Sequence, residues 1–151
     1  MKSNLIATSF VLLPLLAMAS GGKGFLPIRS EGDLFYYEGN VTISGTYSWQ
    51  LNEIEQGALC FFVKGPTEKF IPREHDSRMP WFCFSNDREA KKAFKIPSSV
   101  PQGVCEFSGQ ATIRISEYVV NRAQSSAHDT ARLEEIVSRT NPVLKQCELR
   151  P

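Results

Sequence analysis

The chain has 151 residues, with 17 Lys and Arg against 16 Asp and Glu and only two His. A formal net charge of +1 provides no overall positive field, so nucleic acid, whose binding depends mainly on neutralising phosphates, is not expected as a partner. The length is that of one domain and is sufficient to bury a hydrophobic core.

The N-terminus has the pattern of a secretory signal peptide. Lys2 precedes an apolar run from Leu5 to Leu16, and small residues at Ala17 and Ala19 follow it. The run is shorter than the ~20 residues that a membrane-spanning helix needs. We therefore expect cleavage after Ala19, a soluble product without a membrane anchor, and a location in the periplasm or outside the cell. Loss of Lys2 with residues 1–19 leaves 16 basic and 16 acidic residues.

The mature chain is predicted to begin with a flexible lead-in over residues 20–33, which is rich in Gly and polar groups. From Val41 to Gln50, apolar and polar residues then alternate with a period of two, which predicts a half-buried strand. Gly45 in the middle of this strand suggests a bulge or a sharp bend.

Two short apolar segments, ALCFFV (58–63) and WFCF (81–84), predict strands that are covered on both faces. Their phenylalanines Phe61, Phe82 and Phe84 are assigned to the core because their neighbours are apolar. The segment between the two strands, 64–80, is charged and contains prolines, so an exposed loop is expected there.

Two helices and two strands are predicted in the second half of the chain. The first helix begins after a cap at Asn86 and ends before Pro97. A long strand follows over 103–120. A second helix over 125–142 is predicted from the spacing of Leu133, Ile136 and Val137, with Ser126 or Asp129 as its cap. A closing strand is predicted over 143–150.

The order of these elements resembles an OB-fold, a five-stranded, partly open β-barrel with a helix between its third and fourth strands. The matching pieces are VTISGTY, WFCF, FSGQATIRI and KQCEL, within residues 34–150. The chain is most similar to small exported OB domains of the anticodon-binding-like (tRNA-anti-like) kind. The resemblance implies a mainly β, α+β domain over 34–151 with two short helices and a five-stranded OB-like barrel.

All four cysteines lie in the mature chain, at Cys60, Cys83, Cys105 and Cys147. An even number in an exported protein favours two disulfides, and the spacings lack the short pairs of a zinc site. In an OB-fold the second strand pairs with the third, which implies a Cys60–Cys83 disulfide. Pairing of the fourth strand with the fifth implies a Cys105–Cys147 disulfide. The same fold also places the third strand beside the fifth, so Cys83–Cys147 with Cys60–Cys105 remains the alternative.

The sequence contains no nucleophile elbow, phosphate-binding loop or zinc-protease motif. We therefore expect that the protein is not an enzyme and that it has no catalytic residue, metal ion or cofactor. A hydrolase or metal protein that uses His75 is a minor hypothesis, since His75 lies in a charged loop between Glu74 and Asp76. His128 is assigned to a capping turn.

The predicted binding surface combines aromatic residues that have polar neighbours with basic residues of the 64–80 loop. It comprises Tyr47, Trp49, Tyr118, Arg73, His75 and Arg78. The expected function is a disulfide-stabilised binding module for a protein, peptide or glycan. The alternative is an exported inhibitor or immunity-type protein that neutralises a toxin or a hydrolase. Asn40-Val41-Thr42 matches the N-glycosylation sequence of eukaryotic secretory proteins.

Overall fold

The computed structural model describes residues 24–50, 57–73, 76–123 and 128–147. These residues are mainly β, with one short α-helix and one short 3-10 helix among them. The strands are β1 Leu26–Glu31, β2 Leu34–Gln50, β3 Leu59–Val63, β4 Trp81–Phe84, β5 Val104–Asn121, β6 Asp129–Arg139 and β7 Val143–Gln146. The 3-10 helix spans Gly65–Phe70, and helix α1 spans Asp87–Phe94.

The seven strands form one sheet in the order β1-β2-β3-β4-β6-β5-β7, and β5 also pairs with β2. Pairing therefore runs from β2 through β3, β4, β6 and β5 and returns to β2, which gives a partly closed ring. Among the pairs that these described strands form, β4–β6 alone is parallel. Within the described ranges, β1 pairs with β2 alone and β7 with β5 alone, so both add to the outside of the ring.

The hydrophobic core lies inside the ring, and the alternation of β2 and β3 decides which side chains enter it. Leu59, Phe61 and Val63 of β3 are buried, whereas Cys60 and Phe62 point to the outer face and are partly exposed. The predicted core residues Phe61, Phe82 and Phe84 are confirmed, since each is at most 4% exposed. Helix α1 contributes Ala90 and Phe94 to the same core.

The predicted helix over 125–142 is wrong. Its described part forms β6, and the helix-like spacing of its apolar residues has a specific cause. Leu133 pairs with Ile115 and Ile136 pairs with Ile113, while Glu134 is the extra residue of a bulge. The bulge shifts the alternation by one residue, so two residues three apart face the same side and imitate a helical stripe. Asp129 begins this strand rather than capping a helix, and Ser126 lies outside the described residues.

The ends of the domain also differ from the prediction. Strand β1 lies inside the segment 20–33, which was expected to be a lead-in without regular structure. The strand predicted over 143–150 is β7 in its first four residues, but it pairs only with β5. The place assigned to it in the ring is taken by β6. A 3-10 helix occupies the start of the loop 64–80.

Helix α1 begins after Asn86, as predicted, but the Asn86 side chain does not cap it. The Asn86 amide instead donates to the Leu133 carbonyl at 3.0 Å and accepts from the Leu133 backbone N–H at 2.9 Å. Asn86 therefore acts as a short extension of the sheet that ties the start of α1 to β6.

Both disulfides of the first-choice pairing are present, Cys60–Cys83 and Cys105–Cys147. Cys60 lies directly opposite Cys83 in the β3–β4 pair, and the second disulfide joins β5 to the residue that follows β7. The described chain has no helix that could cross a membrane. The segment predicted to be a signal peptide, 1–19, lies outside the described residues.

Candidate ligand-binding face

The three aromatic residues that were predicted to contact a ligand are buried. Tyr47 and Tyr118 are fully buried, and Trp49 is 5% exposed. Polar neighbours misled the prediction, because along β2 they occupy the outer face while Tyr47 and Trp49 alternate into the core. For Tyr118, a register shift in β5 between Ser116 and Val119 turns the side chain inward. These residues are core residues, and the prediction of an exposed aromatic surface at these positions is wrong.

Tyr118 instead belongs to a buried polar cluster centred on Asp129, which is 2% exposed. The Asp129 carboxylate accepts hydrogen bonds from the Tyr118 hydroxyl at 2.7 Å and from the Asn121 backbone N–H at 3.0 Å. Burial, reinforced by the neighbouring carboxylate, raises the pKa of Tyr118 well above its usual value. The phenol therefore remains a hydrogen-bond donor at neutral pH.

The predicted loop residues Arg73 and Arg78 complete this cluster. Their guanidinium groups lie 3.4 and 3.5 Å from the Asp129 carboxylate, and both also contact Asp76. Hydrogen bonds from Arg78 hold the pKa of Asp76 well below its usual value, and the same pairing raises the pKa of Arg78. Two cations thus face two carboxylates, and the loop is fastened to the start of β6. His75 lies outside the described residues.

A different set of aromatic rings forms a row on the outer face of the sheet. The Phe62 and Trp81 rings stack with centroids 5.8 Å apart and an interplanar angle of 13°. The His128 ring lies 5.8 Å from Trp81 on the other side. All three side chains are partly exposed. The ring row, as we call Phe62, Trp81 and His128, thus crosses β3, β4 and the residue before β6.

Strand register explains why the three rings meet. Phe62 pairs with Trp81, and the parallel pair of Phe82 with Asp129 places the preceding residues, Trp81 and His128, side by side. On the other flank, Phe62 pairs with Thr46, whose hydroxyl accepts a hydrogen bond from the Gln110 amide at 3.0 Å. The ring row therefore continues across the sheet into uncharged polar side chains.

The sequence contained part of the signal for this face. Strands β3 and β4 each have aromatic residues on alternating sides, so some of these rings had to lie on the outer face. Because Phe62 and Trp81 have apolar neighbours in the sequence, the pattern did not indicate that these two residues lie on the outer face. His128 could not be added without the parallel β4–β6 register, which depends on a strand that was predicted to be a helix.

A separate cleft with a volume of about 710 Å³ lies between the β1–β2 hairpin and strands β5 and β6. Its lining includes Glu38, Glu117 and Glu134, and Glu134 accepts a hydrogen bond from Ser116. Among the described residues, no three His, Cys, Asp or Glu side chains converge as metal ligands would. Arg29 also lines the cleft, so three carboxylates and one guanidinium border this concave surface.

The chemistry available on the ring row is stacking and hydrogen bonding. Flat aromatic surface favours ligands that have a flat or apolar face, and nearby hydroxyl and amide groups can fix their orientation. Comparison of the chain with models of protein families, with curated proteins and with solved structures found no match in any of the three.

Proposed function

We propose that this protein is an exported, disulfide-stabilised binding module of OB type that recognises a protein, peptide or glycan on the ring row. It acts without a cofactor and without catalysing a reaction. The observation that carries the proposal is the row itself, because three partly exposed aromatic rings in contact lie on an outer sheet face whose other side chains are mostly polar. Aromatic residues are enriched in protein interaction surfaces, so partly exposed rings in contact favour a binding role.

The strand pairings support an OB-type barrel. Strands β2, β3 and β4 follow one another as antiparallel neighbours, and α1 comes between β4 and β5. β5 pairs with β2, and β6 closes the circuit between β5 and β4. A five-strand circuit with a helix after its third strand supports the proposed OB type, and in this proposal β1 and β7 are additions to it.

Two disulfides, with no free cysteine among the described residues, support export. Disulfides form and persist in oxidising compartments, including the periplasm and the cell exterior, and are rare in the cytosol. The predicted signal peptide over 1–19 leads to the same compartments. The anticodon-binding-like resemblance remains a proposal about ancestry, and the neutral mature chain favours ligands other than nucleic acid.

The proposal is tested by screening the mature protein against immobilised glycans and peptides. We expect Trp81→Ala to lose the ligands that the unchanged protein retains. Tyr36→Ala is the matched control, because Tyr36 is also a partly exposed aromatic residue but lies outside the ring row, near Arg29. Equal loss in both variants, or retention of every ligand by Trp81→Ala, would contradict a binding role for the row.

The loop that follows the 3-10 helix supports a second candidate, an inhibitor or immunity-type protein. Met79 is 65% exposed beside Arg78, and Arg78 is held in place by Asp76 and Asp129. An exposed side chain next to an arginine held by two carboxylates suits insertion into a partner, because less conformational entropy is lost on binding. In that case Met79→Asp would abolish neutralisation of the target, whereas Trp81→Ala would leave it intact.

A further inference from the structure

We propose that β6 binds a short basic peptide, which pairs with residues 134–139 as an additional strand beside α1. We call these residues the β6 edge. This surface is separate from the ring row, so the inference goes beyond the proposed function and does not depend on it. Three observations carry it: an edge without a described strand partner, a groove that follows this edge, and acidic side chains that line the groove.

The first observation is the open side of β6. One side of β6 pairs with β5 from Thr130 to Arg139, whereas β4 covers the other side only as far as Ala131. Within the described ranges, no strand pairs with the β6 edge on that second side. Backbone N–H and C=O groups along such an edge can hydrogen-bond to an added strand.

The Asn86 side chain shows where these backbone groups point. Its amide bonds to both the N–H and the C=O of Leu133, as the backbone of a neighbouring strand would. Asn86 therefore extends the line of hydrogen bonds that β4 begins, on the side of β6 that faces α1. A peptide on the β6 edge would continue the same line.

The second observation is a groove of about 510 Å³ between α1 and this part of β6. The hydrogen bonds between Asn86 and Leu133 close one end of it. At the other end, the Arg139 guanidinium donates to the Phe94 carbonyl at 3.3 Å. The six intervals from Leu133 to Arg139 span at most about 20 Å of strand. The groove therefore suits an extended segment of a few residues rather than a folded domain.

The third observation is the charge of the groove, which selects a basic peptide. Glu89, Glu134 and Glu135 line it, against one guanidinium, that of Arg139. Glu135 is paired with Arg114 at 2.7 Å. Glu89 lies on α1 and is exposed, and among the described residues it has no ion-pair partner. A Lys or Arg side chain of the peptide can pair with Glu89.

Shape and charge both oppose a second copy of this chain as the occupant. Pairing of two β6 edges would bring together two grooves that each carry more acids than bases, which is unfavourable. The β6 edge also has bulges at Glu134 and Val137, and bulges bend a strand away from edge-to-edge pairing. A short peptide can follow the bend, and the side chains of Val137, which is 56% exposed, and Ala93 offer it apolar surface.

Nuclear magnetic resonance titration of the ¹⁵N-labelled mature protein tests the inference. The probe is a heptapeptide with blocked ends in which Val and Lys alternate, and its counterpart has Glu in place of Lys. We expect the basic peptide to shift the backbone amide signals of residues 134–139 and to slow their exchange with solvent, and the acidic peptide to do neither. Two further forms of the basic peptide are methylated on the nitrogens of Val or of Lys. Their affinities should differ about tenfold or more, because only one edge of the peptide would face β6.

Glu89→Gln should weaken binding of the basic peptide about two- to fivefold, as expected for the loss of an exposed ion pair. Lys92→Gln is the matched control, because Lys92 is exposed on the same helix but does not line the groove, and it should not weaken binding. Trp81→Ala should bind the peptide normally, which separates this test from that of the ring row. Unchanged thermal melting of each variant guards against unfolding as the cause.

Three results would overturn the inference. Unshifted amides over 134–139 would mean that the edge takes no peptide. Equal affinity of the basic peptide and both methylated forms would mean that charge alone attracts it, without strand pairing. Shifts of the same amides with rising protein concentration and no peptide would assign the edge to a second copy of the chain.

Discussion

At the scale of single residues, Asp129 connects the loop over 71–80 to the ring of strands. Its carboxylate is buried and is satisfied by Tyr118, by the Asn121 backbone and by two arginines. A buried ionic group of this kind adds little stability by itself, but removal of one partner leaves the other charges uncompensated. Asp129 also directly follows His128, so its contacts fix the end of the ring row.

We expect Asp129→Asn to lower the free energy of unfolding by roughly 3 kcal/mol, because Arg73 would lose part of its compensation in a largely buried position. Urea denaturation measures the change. The control is Glu135→Gln, which breaks the ion pair of Arg114 and Glu135, whose side chains are about half exposed. That exposed pair should contribute about 0–1 kcal/mol. An equally small effect of both substitutions would mean that Asp129 does not hold the loop.

The Asp76 carboxyl predicts a dependence of stability on acid. Its pKa in the folded protein is lowered by Arg78, so it stabilises the fold at pH values above its unfolded pKa of 3.8. That contribution is lost as the pH falls below this value and through the lower folded pKa. Asp76→Asn should therefore flatten the acidic limb of the unfolding free energy plotted against pH, below about pH 4. Parallel curves for the variant and the unchanged protein would argue against this ion pair.

At the scale of elements, Gly45 in β2 marks a close approach between strands, and no bulge occurs at this glycine. Gly45 pairs with Val63 and with Ala111 without a shift in register, whereas the register shift of β2 lies between Tyr37 and Asn40. A Cβ atom at position 45 would lie 2.1 Å from the Phe62 carbonyl oxygen, which belongs to the backbone of β3. The absence of a side chain therefore permits the β2–β3 pairing that presents Phe62.

Gly45→Ala should destabilise the protein by roughly 2–3 kcal/mol, because backbone rather than a flexible side chain would have to move. It should also weaken ligand binding through displacement of Phe62. Thr42→Ala is a suitable control, since Thr42 is exposed on the same strand. Thermal melting of both variants measures the effect, and similar melting temperatures would show that β3 can adjust to the added methyl group.

The elements differ in how far sequence could predict them. Strands β2 to β5 follow a regular alternation or contain dense apolar runs, and each was located from its pattern. The strand β6 and the burial of Tyr118 were predicted wrongly for the same physical reason. Bulges at Glu134 and between Ser116 and Val119 interrupt the alternation of side chains, so a period of two no longer predicts which face a residue occupies. The ring row was missed because it depends on register between strands that are distant in sequence.

At the scale of the whole molecule, the disulfides join strands that pairing alone would hold weakly. Cys60–Cys83 joins two short strands, and Cys105–Cys147 fastens the C-terminal end of the described chain to β5. They close chain segments with sequence separations of 23 and 42 residues. Chain entropy then predicts stabilisation of about 3.4 and about 3.9 kcal/mol, respectively.

We expect replacement of each cysteine pair by alanine to cost about 3–4 kcal/mol, with the larger loss for Cys105 and Cys147. Urea denaturation of the two double variants measures the loss. The consequences for binding should differ, because Cys60 and Cys83 lie on the two strands that carry Phe62 and Trp81. Removal of that pair should weaken ligand binding, whereas removal of the other should not. Weaker binding after removal of Cys105 and Cys147, with unchanged binding after removal of Cys60 and Cys83, would contradict the placement of the binding face.

The central claim is that the protein meets its ligand on the ring row, and site-specific photo-crosslinking in the cells that produce it tests this most directly. A photoreactive phenylalanine analogue is introduced in place of Phe62 in one variant and of Tyr36 in another, and the irradiated proteins are weighed intact. We predict a covalent adduct in the first variant and only unmodified protein in the second. An adduct at position 36, or none at position 62, would contradict the assignment of this face.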